Sequence, residues 1–333
     1  MGKKNRNSSI ELLRILSILF VLVGHTFGHG AHGEVPNAGY ILAFGISINV
    51  FMLISGYYGI KLRIKSFASM VGMVMFYSIG STALIYFITG GVNLNGALSG
   101  FLPISHNYYY WFASCYIFLM MLSPLLNKGL ASLSDRQYIW VVIGVVYMNC
   151  VSGWLMRNYF INPTGFSTMQ LIFMYIIGNA VRRLQLAEKI SMRWLVVTYF
   201  ATTAFSLVAG KIPYISSLGG YNNPVDVVKS VAVFCIFMKL TISSRWINRI
   251  SACVFACYLL QEGALGQELY KAQYGFWQTV HNAPLFWLYA LGCVAMIFVV
   301  AFIVEPIRKK WMDSLIDRLY VRFSLERIDI ANE

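Results

Sequence analysis

The chain has 333 residues, of which 58% are hydrophobic and only 12% are charged, and its mean hydropathy is +0.63. Soluble globular proteins carry about 25% charged residues, so this composition excludes an ordinary soluble domain and predicts an all-α polytopic membrane protein. The net charge of +13 at pH 7 would suit a nucleic-acid partner. The distribution of the basic residues along the chain excludes that interpretation.

Apolar runs separated by charged residues, Gly, Pro and Asn predict about ten transmembrane helices. Their approximate bounds are 10–28, 38–59, 67–89, 108–127, 138–156, 167–181, 194–210, 225–242, 250–267 and 284–305. Residues 1–306 therefore form a ten-helix membrane domain. The remaining residues, 307–333, are predicted to form a basic amphipathic cytoplasmic tail that lies on the inner leaflet.

Basic residues fall mostly on one side of the predicted spans. If the N-terminus is cytoplasmic, the outer loops hold only Arg157, Lys211 and Lys271, and most other Lys and Arg residues lie on the inner side. This asymmetry follows the positive-inside rule and predicts that both termini are cytoplasmic. We therefore expect a multi-pass protein of the cell membrane, with the lipid bilayer as its surroundings and no nucleic-acid partner.

The first predicted span contains two ionisable residues, Arg14 and His25. A charge at the centre of a bilayer costs about 3 kcal/mol or more, so it usually has a function. At about 100° and 1.5 Å per residue, His25 lies on nearly the same helix face as Arg14 and about 16 Å further along. Each also has a structural explanation, because Arg14 can reach the headgroups or pair with Glu11, and His25 can be a packed imidazole.

His25, His29 and His32 are spaced i, i+4 and i+7, which in a helix would favour a metal site. Three glycines between positions 28 and 33 indicate that the helix ends there, and Glu34 is the nearest carboxylate. We therefore predict that the protein binds no metal.

Several segments together resemble membrane acyltransferase family 3, whose members are integral-membrane O-acyltransferases of bacterial surface polysaccharides. The segments are Ile10-Glu11-Leu12-Leu13-Arg14 with His25, Phe51 to Tyr57, Tyr110-Trp111-Phe112 with Tyr116, Ser123-Pro124-Leu125-Leu126-Asn127, Tyr175-Ile176-Ile177-Gly178, and Ser251 with Tyr258-Leu259-Leu260. The resemblance spans nearly the whole chain. One departure is Gln261, which stands where the family usually has a histidine, and a glutamine can hydrogen-bond but cannot titrate.

The resemblance implies an acyl-CoA donor, most often acetyl-CoA, and a hydroxyl of an extracytoplasmic or lipid-linked polysaccharide as the acceptor. Because CoA is anionic and cytoplasmic, basic residues at the inner end are candidates for binding it. These candidates are Arg14, Lys61, Arg63, Lys65, Arg182 and Arg183.

His25 is the predicted general base, which takes the proton of the acceptor hydroxyl, or alternatively it accepts the acyl group itself. Ser55, Tyr57, Tyr258 or Gln261 could donate hydrogen bonds to the developing oxyanion. Glu262, which is expected at roughly the same membrane depth as His25, is a candidate to orient the imidazole, and the alternative is that it only marks the end of its helix.

Two other functions are compatible with the same residues. A transporter or flippase of lipid-linked sugars would use His25, Lys229 and Glu262 as a proton relay. The chain has no recognisable internal repeat, which such transporters often show. A non-catalytic scaffold would tolerate replacement of Arg14 and His25.

Overall fold

The computed structural model describes residues 7–36, 38–46, 48–91, 110–209 and 220–323. Every regular element within these ranges is helical, and they contain no β-strand. The predicted all-α class is confirmed. The start of the fourth predicted span and residues 324–333 of the predicted tail lie outside the described residues.

The described part of the chain contains fourteen α-helices and two π-helical segments. The α-helices are α1 (Ser8–His25), α2 (Ala38–Ala43), α3 (Ile48–Tyr58), α4 (Ile64–Thr89), α5 (Trp111–Ser132), α6 (Asp135–Val146), α7 (Thr168–Arg183), α8 (Leu186–Lys189), α9 (Met192–Ala209), α10 (Pro224–Lys239), α11 (Arg245–Ser251), α12 (Val254–Glu262), α13 (Ala264–Val280) and α14 (Ala283–Arg322). The π-helical segments extend α1 over Thr26–Gly30 and α6 over Tyr147–Leu155.

Six helices in the described ranges are long and apolar enough to cross a membrane: α1 and α6 with their π-helical extensions, and α4, α5, α9 and α14. The other four predicted spans are shorter or interrupted. Residues 38–59 form the two helices α2 and α3, and α7 and α10 have 16 residues each, whereas a straight span needs about 20. Residues 250–267 are divided among α11, α12 and α13.

The helix boundaries follow local chemistry. The side chain of Asn7 accepts a hydrogen bond from the backbone N–H of Ser9 and caps α1. Ser134 and Gln137 form a capping box at the start of α6. Helix α14 continues without a break through Pro306, so one helix crosses the predicted boundary between membrane domain and tail.

The described chain divides into two compact units. The first comprises Met1–Gly28, Gly33–Ile60 and Leu125–Ala252. Its centre is the pair α3 and α7, whose backbones approach closely because Gly56 lies against Tyr175 and Gly178 lies against Leu53. Helix α1 packs on α3, α10 and α11 within this unit, and α9 packs on α10.

The second unit comprises His29–His32, Lys61–Pro124 and Cys253–Glu333. Its core is formed by contacts among α4, α12, α13 and α14. A buried ion pair between Glu305 and Arg308 lies on α14, and the Tyr77 hydroxyl of α4 donates to Glu305 at 3.0 Å. These bonds satisfy the Glu305 carboxylate in an apolar region.

Candidate functional site

Arg14 and His25 lie on one uninterrupted α-helix, α1. Eleven residues of regular helix bring the second side chain back to nearly the same face, about 16 Å along the axis. Neither residue is fully buried: the side chain of Arg14 is 37% exposed, and His25 is half-buried. One helix face therefore carries a permanent cation at its start and an imidazole at its end.

Glu11 is the partner of Arg14 among the described residues. Arg14 Nη1 lies 3.3 and 3.4 Å from the two Glu11 carboxylate oxygens, and the Glu11 side chain is only 9% exposed. The Ser251 hydroxyl, at the end of α11, donates a hydrogen bond to the same carboxylate. The local pair expected from the sequence is thus present, with a third member from a distant segment.

The start of α1 is fixed by side-chain bonds to the segment between α10 and α11. Ser9 Oγ donates to Leu240 O at 2.7 Å and accepts from Ile242 N at 3.0 Å, and Ser8 Oγ accepts from Ser244 N at 3.0 Å. These bonds set the position of the helix end that bears Glu11 and Arg14.

At His25 the helix changes its hydrogen-bonding pattern. The next residues, Thr26–Gly30, form a π-helical turn, an irregularity that is frequent at functional sites. A half-buried imidazole at such a point can accept a proton from a bound hydroxyl.

The other two histidines of the i, i+4, i+7 pattern contact aromatic rings of α13 in the second unit. The ring of His29 lies 5.3 Å from that of Tyr270, and the ring of His32 lies 4.2 Å from that of Tyr274. No group of three or more His, Cys, Asp or Glu side chains within the described residues could hold a metal ion.

Three of the segments that resemble the family have residues in the first unit, among them Ser55, Asn127 and Tyr175. Ser55 Oγ donates to Phe51 O, one turn earlier, at 2.9 Å. Tyr175 Oη donates to Asn127 Oδ1 at 2.7 Å and accepts from Ile60 N at 2.9 Å, while Asn127 Nδ2 donates to Ile60 O at 2.9 Å. Three separate segments therefore form one hydrogen-bonded junction. The predicted role of Ser55 as an oxyanion donor stays a prediction.

The two adjacent arginines at the end of α7 differ in their surroundings. Arg183 donates to Leu130 O at 2.9 Å, to Leu133 O at 2.8 Å and to Asp135 Oδ1 at 2.8 Å. Its guanidinium also lies 4.2 Å from the ring centroid of Tyr138. Arg182 is exposed. The structure thus assigns Arg183 to the junction with α5 and α6 and leaves Arg182 on the surface of the first unit.

Three other predicted donor-binding residues belong to the second unit: Lys61, which is exposed just before α4, and the pair Arg63 and Lys65. Both are exposed at the start of α4, and Lys65 forms an ion pair with Asp317 of α14. Exposed pairs of this kind contribute little to stability, so Lys65 can exchange its partner for another anion.

Tyr258, Gln261 and Glu262 are buried on α12, within the second unit. The Tyr270 hydroxyl of α13 donates to Glu262 Oε1 at 2.7 Å. The ring of Tyr258 packs against Phe112 with a centroid separation of 5.9 Å. The roles predicted for these three residues in catalysis stay predictions.

Sequence reasoning missed a buried amide network in the first unit. Gln170 Nε2 donates to Asn49 Oδ1 at 2.8 Å and to Tyr221 O at 2.9 Å, and Asn162 Nδ2 donates to Gln170 Oε1 at 2.9 Å. The available signal was the presence of Asn and Gln in strongly apolar segments, where each must find hydrogen-bond partners.

Comparison with known proteins gives one finding that covers most of the chain. The sequence profile of the acyltransferase 3 family, described as an acyltransferase domain, matches residues 7–311. No curated protein and no solved structure matches the chain significantly. The matched region begins just before α1 and includes every residue of the candidate site.

Proposed function

The chain belongs to the acyltransferase 3 family, and from that premise we propose that it transfers an acyl group from cytoplasmic acyl-CoA to a hydroxyl of a surface polysaccharide. Family membership and the apolar helices make it a multi-pass membrane acyltransferase. The donor, the acceptor and the catalytic base are the proposal. Acetyl is the proposed acyl group, and the acceptor is an extracytoplasmic or lipid-linked glycan at the cell membrane.

The observation that carries the proposal is the arrangement of Arg14 and His25 on one face of α1. A cation about 16 Å from an imidazole matches a donor with an anionic head and a reactive group at the end of a long arm. Both side chains are accessible in part.

The donor-binding residue in the first unit is Arg14, with Arg182 as a second cation. The guanidinium of Arg14 uses one nitrogen for Glu11, and its remaining donors suit phosphate oxygens. Arg183 contributes less because four contacts already occupy its guanidinium. Arg63 and Lys65 are the candidates in the second unit.

Acyl-CoA supplies a thioester carbonyl that is activated towards attack by a hydroxyl.

His25 acts as the general base. Its imidazole takes the proton of the acceptor hydroxyl as the hydroxyl oxygen bonds to the acyl carbon, and the bond from that carbon to sulfur breaks. The proton then passes from the imidazolium to the departing sulfur, so the base is regenerated and no other reactant is needed. Direct transfer of this kind requires an imidazole that is neutral at the start.

The test uses the purified full-length protein, radiolabelled acetyl-CoA and a surface-glycan acceptor. We expect acceptor-dependent release of CoA, which His25→Ala abolishes in a protein that still folds. His32→Ala is the matched control, because it removes another imidazole seven residues later and should leave turnover unchanged. Turnover by His25→Ala at the wild-type rate would overturn the mechanism.

A transporter or flippase of lipid-linked sugars is the alternative, favoured by the buried Lys229. Lys229 Nζ lies 2.9 Å from Asp226 Oδ1 and donates to Ala43 O at 3.2 Å. Buried ionisable residues in membrane helices often mark transport pathways. Movement of a lipid-linked sugar across proteoliposomes without any CoA release would support this alternative over acyl transfer.

A further inference from the structure

A cavity of about 260 Å³ opens in the first unit, among α1, α9 and α10. Its lining includes Leu16, Phe20, Val196, Phe200, Val233 and Ile236. The volume is close to the lower end of the roughly 300–1,000 Å³ typical of ligand pockets. The cavity is large enough for part of a flexible ligand.

The lining offers a ligand almost no polar group. Tyr199 is the single lining residue with a hydroxyl, and that hydroxyl donates to Phe44 O at 2.9 Å. The ring of Tyr199 therefore presents apolar surface to the cavity. A hydrocarbon chain is the ligand chemistry that such a lining accepts.

Two basic residues lie within one helical turn of the lining. Arg193 precedes Val196 by three residues on α9, and Lys239 follows Ile236 by three residues on α10, so each shares a helix face with a lining residue. No carboxylate of the described chain forms an ion pair with either of them. Both cations remain available for an anion.

The two cations lie at the same end of the cavity. Helix α8, which ends just before α9 begins, also packs on α10, and the charge of its Glu188 acts on Cys235, one turn before Lys239. Arg193 is near the start of α9 and Lys239 is the last residue of α10. Ser9 Oγ bonds to Leu240 O, so this end is also the start of α1.

We propose that this cavity binds one acyl chain of an anionic phospholipid, whose phosphate is held by Arg193 and Lys239. Phosphate oxygens prefer such cations, and a basic residue near an anionic leaflet contributes about 1 kcal/mol. The site is separate from the proposed catalytic face, because Leu16 and Phe20 lie about 200–240° around α1 from Arg14. The proposal does not depend on acyl transfer.

The test is photocrosslinking in nanodiscs of phosphatidylcholine that contain a small fraction of phosphatidylglycerol with a diazirine in one acyl chain. We expect mass spectrometry to find the label concentrated on α1, α9 and α10 at the cavity lining. Val196→Phe fills the cavity from its membrane side and should reduce this labelling about fivefold, as about 1 kcal/mol of lost contact would do. Val197→Phe is the matched control, because Val197 is its neighbour, 53% exposed and outside the lining.

The charge requirement is tested with Arg193→Gln and Lys239→Gln, each expected to reduce labelling about fivefold. Lys128→Gln removes an exposed cation of the same unit away from the cavity and should have no effect. Label spread evenly over the apolar helices, or unchanged in Val196→Phe, would overturn the site. Equal competition by unlabelled phosphatidylcholine and phosphatidylglycerol would overturn its preference for an anionic lipid.

Discussion

Ser251 donates a hydrogen bond to the carboxylate of Glu11, which lies one turn before Arg14 on α1. Arg14 approaches the same carboxylate at 3.3 and 3.4 Å, longer than the approximately 2.7–2.9 Å of strong charge-assisted bonds. The carboxylate thus has two partners, the Ser251 hydroxyl and the Arg14 guanidinium. Arg14 can therefore turn towards an anion without leaving Glu11 unpaired.

Ser251→Ala tests this relationship. Without the hydroxyl, the Glu11 carboxylate should move closer to Arg14 and compete with the phosphates of the donor. The KM for acetyl-CoA should rise about three- to tenfold, the equivalent of about one hydrogen bond, while kcat stays unchanged. Steady-state kinetics with acetyl-CoA as the varied substrate measures both.

Two further variants separate a positioning role from a structural one. Ser251→Thr keeps the hydroxyl and should restore the wild-type KM. In a protein that already carries Glu11→Gln, adding Ser251→Ala should not change the KM for acetyl-CoA further. The side chain at position 11 then has no negative charge that could compete with the donor phosphates for Arg14. The same rise in KM with and without Glu11→Gln would contradict the coupling.

Gly56→Ala tests the contact between α3 and α7. A Cβ at Gly56 would overlap the carbonyl group of Tyr175, so the two helices would have to separate. We expect the free energy of unfolding to fall by about 1–3 kcal/mol, measured by thermal or SDS-induced unfolding in detergent. Gly129→Ala is the control, because a Cβ there meets no atom within 4 Å and should raise stability by up to about 1 kcal/mol. Equal stability changes in the two variants would contradict the assignment.

Tyr175→Phe tests the junction of Tyr175, Asn127 and Ile60. The variant removes the acceptor of the Ile60 N–H and the donor to Asn127 Oδ1. Leaving such groups unpaired should destabilise the protein by about 1–3 kcal/mol, which thermal unfolding would detect. Tyr147→Phe removes a hydroxyl from an exposed residue and should change stability little. A Tyr175→Phe protein as stable as Tyr147→Phe would show that the junction contributes nothing.

The features that the sequence predicted correctly are those set by local chemistry. A long apolar run with its own cap yields α1, and helical spacing alone places Arg14 and His25 on one face. The first motif of the family signature lies within this helix, so it is recognisable from the local sequence alone.

The features that escaped prediction depend on contacts between distant segments. The predicted span 250–267 is interrupted at Gly263, where the chain passes close to the hydroxyls of Tyr110 and Ser81. The bond between Ser251 and Glu11 joins residues 240 positions apart. No periodicity or hydropathy pattern contains information on such pairings, although Ser251 and Glu11 each lie in a segment that resembles the family.

Arg182 and Arg183 are predicted to have different roles, because the guanidinium of Arg183 is bonded to neighbouring residues and Arg182 is exposed. Arg183→Gln removes bonds to Leu130 O, Leu133 O and Asp135, so it should lower the free energy of unfolding by about 1–3 kcal/mol. The KM for acetyl-CoA should stay within about twofold of wild type, because this guanidinium is already occupied. Arg182→Gln should do the reverse, with unchanged stability and a raised KM. Thermal unfolding and donor-dependent kinetics on the two variants distinguish these outcomes, and a raised KM in Arg183→Gln alone would reverse the assignment.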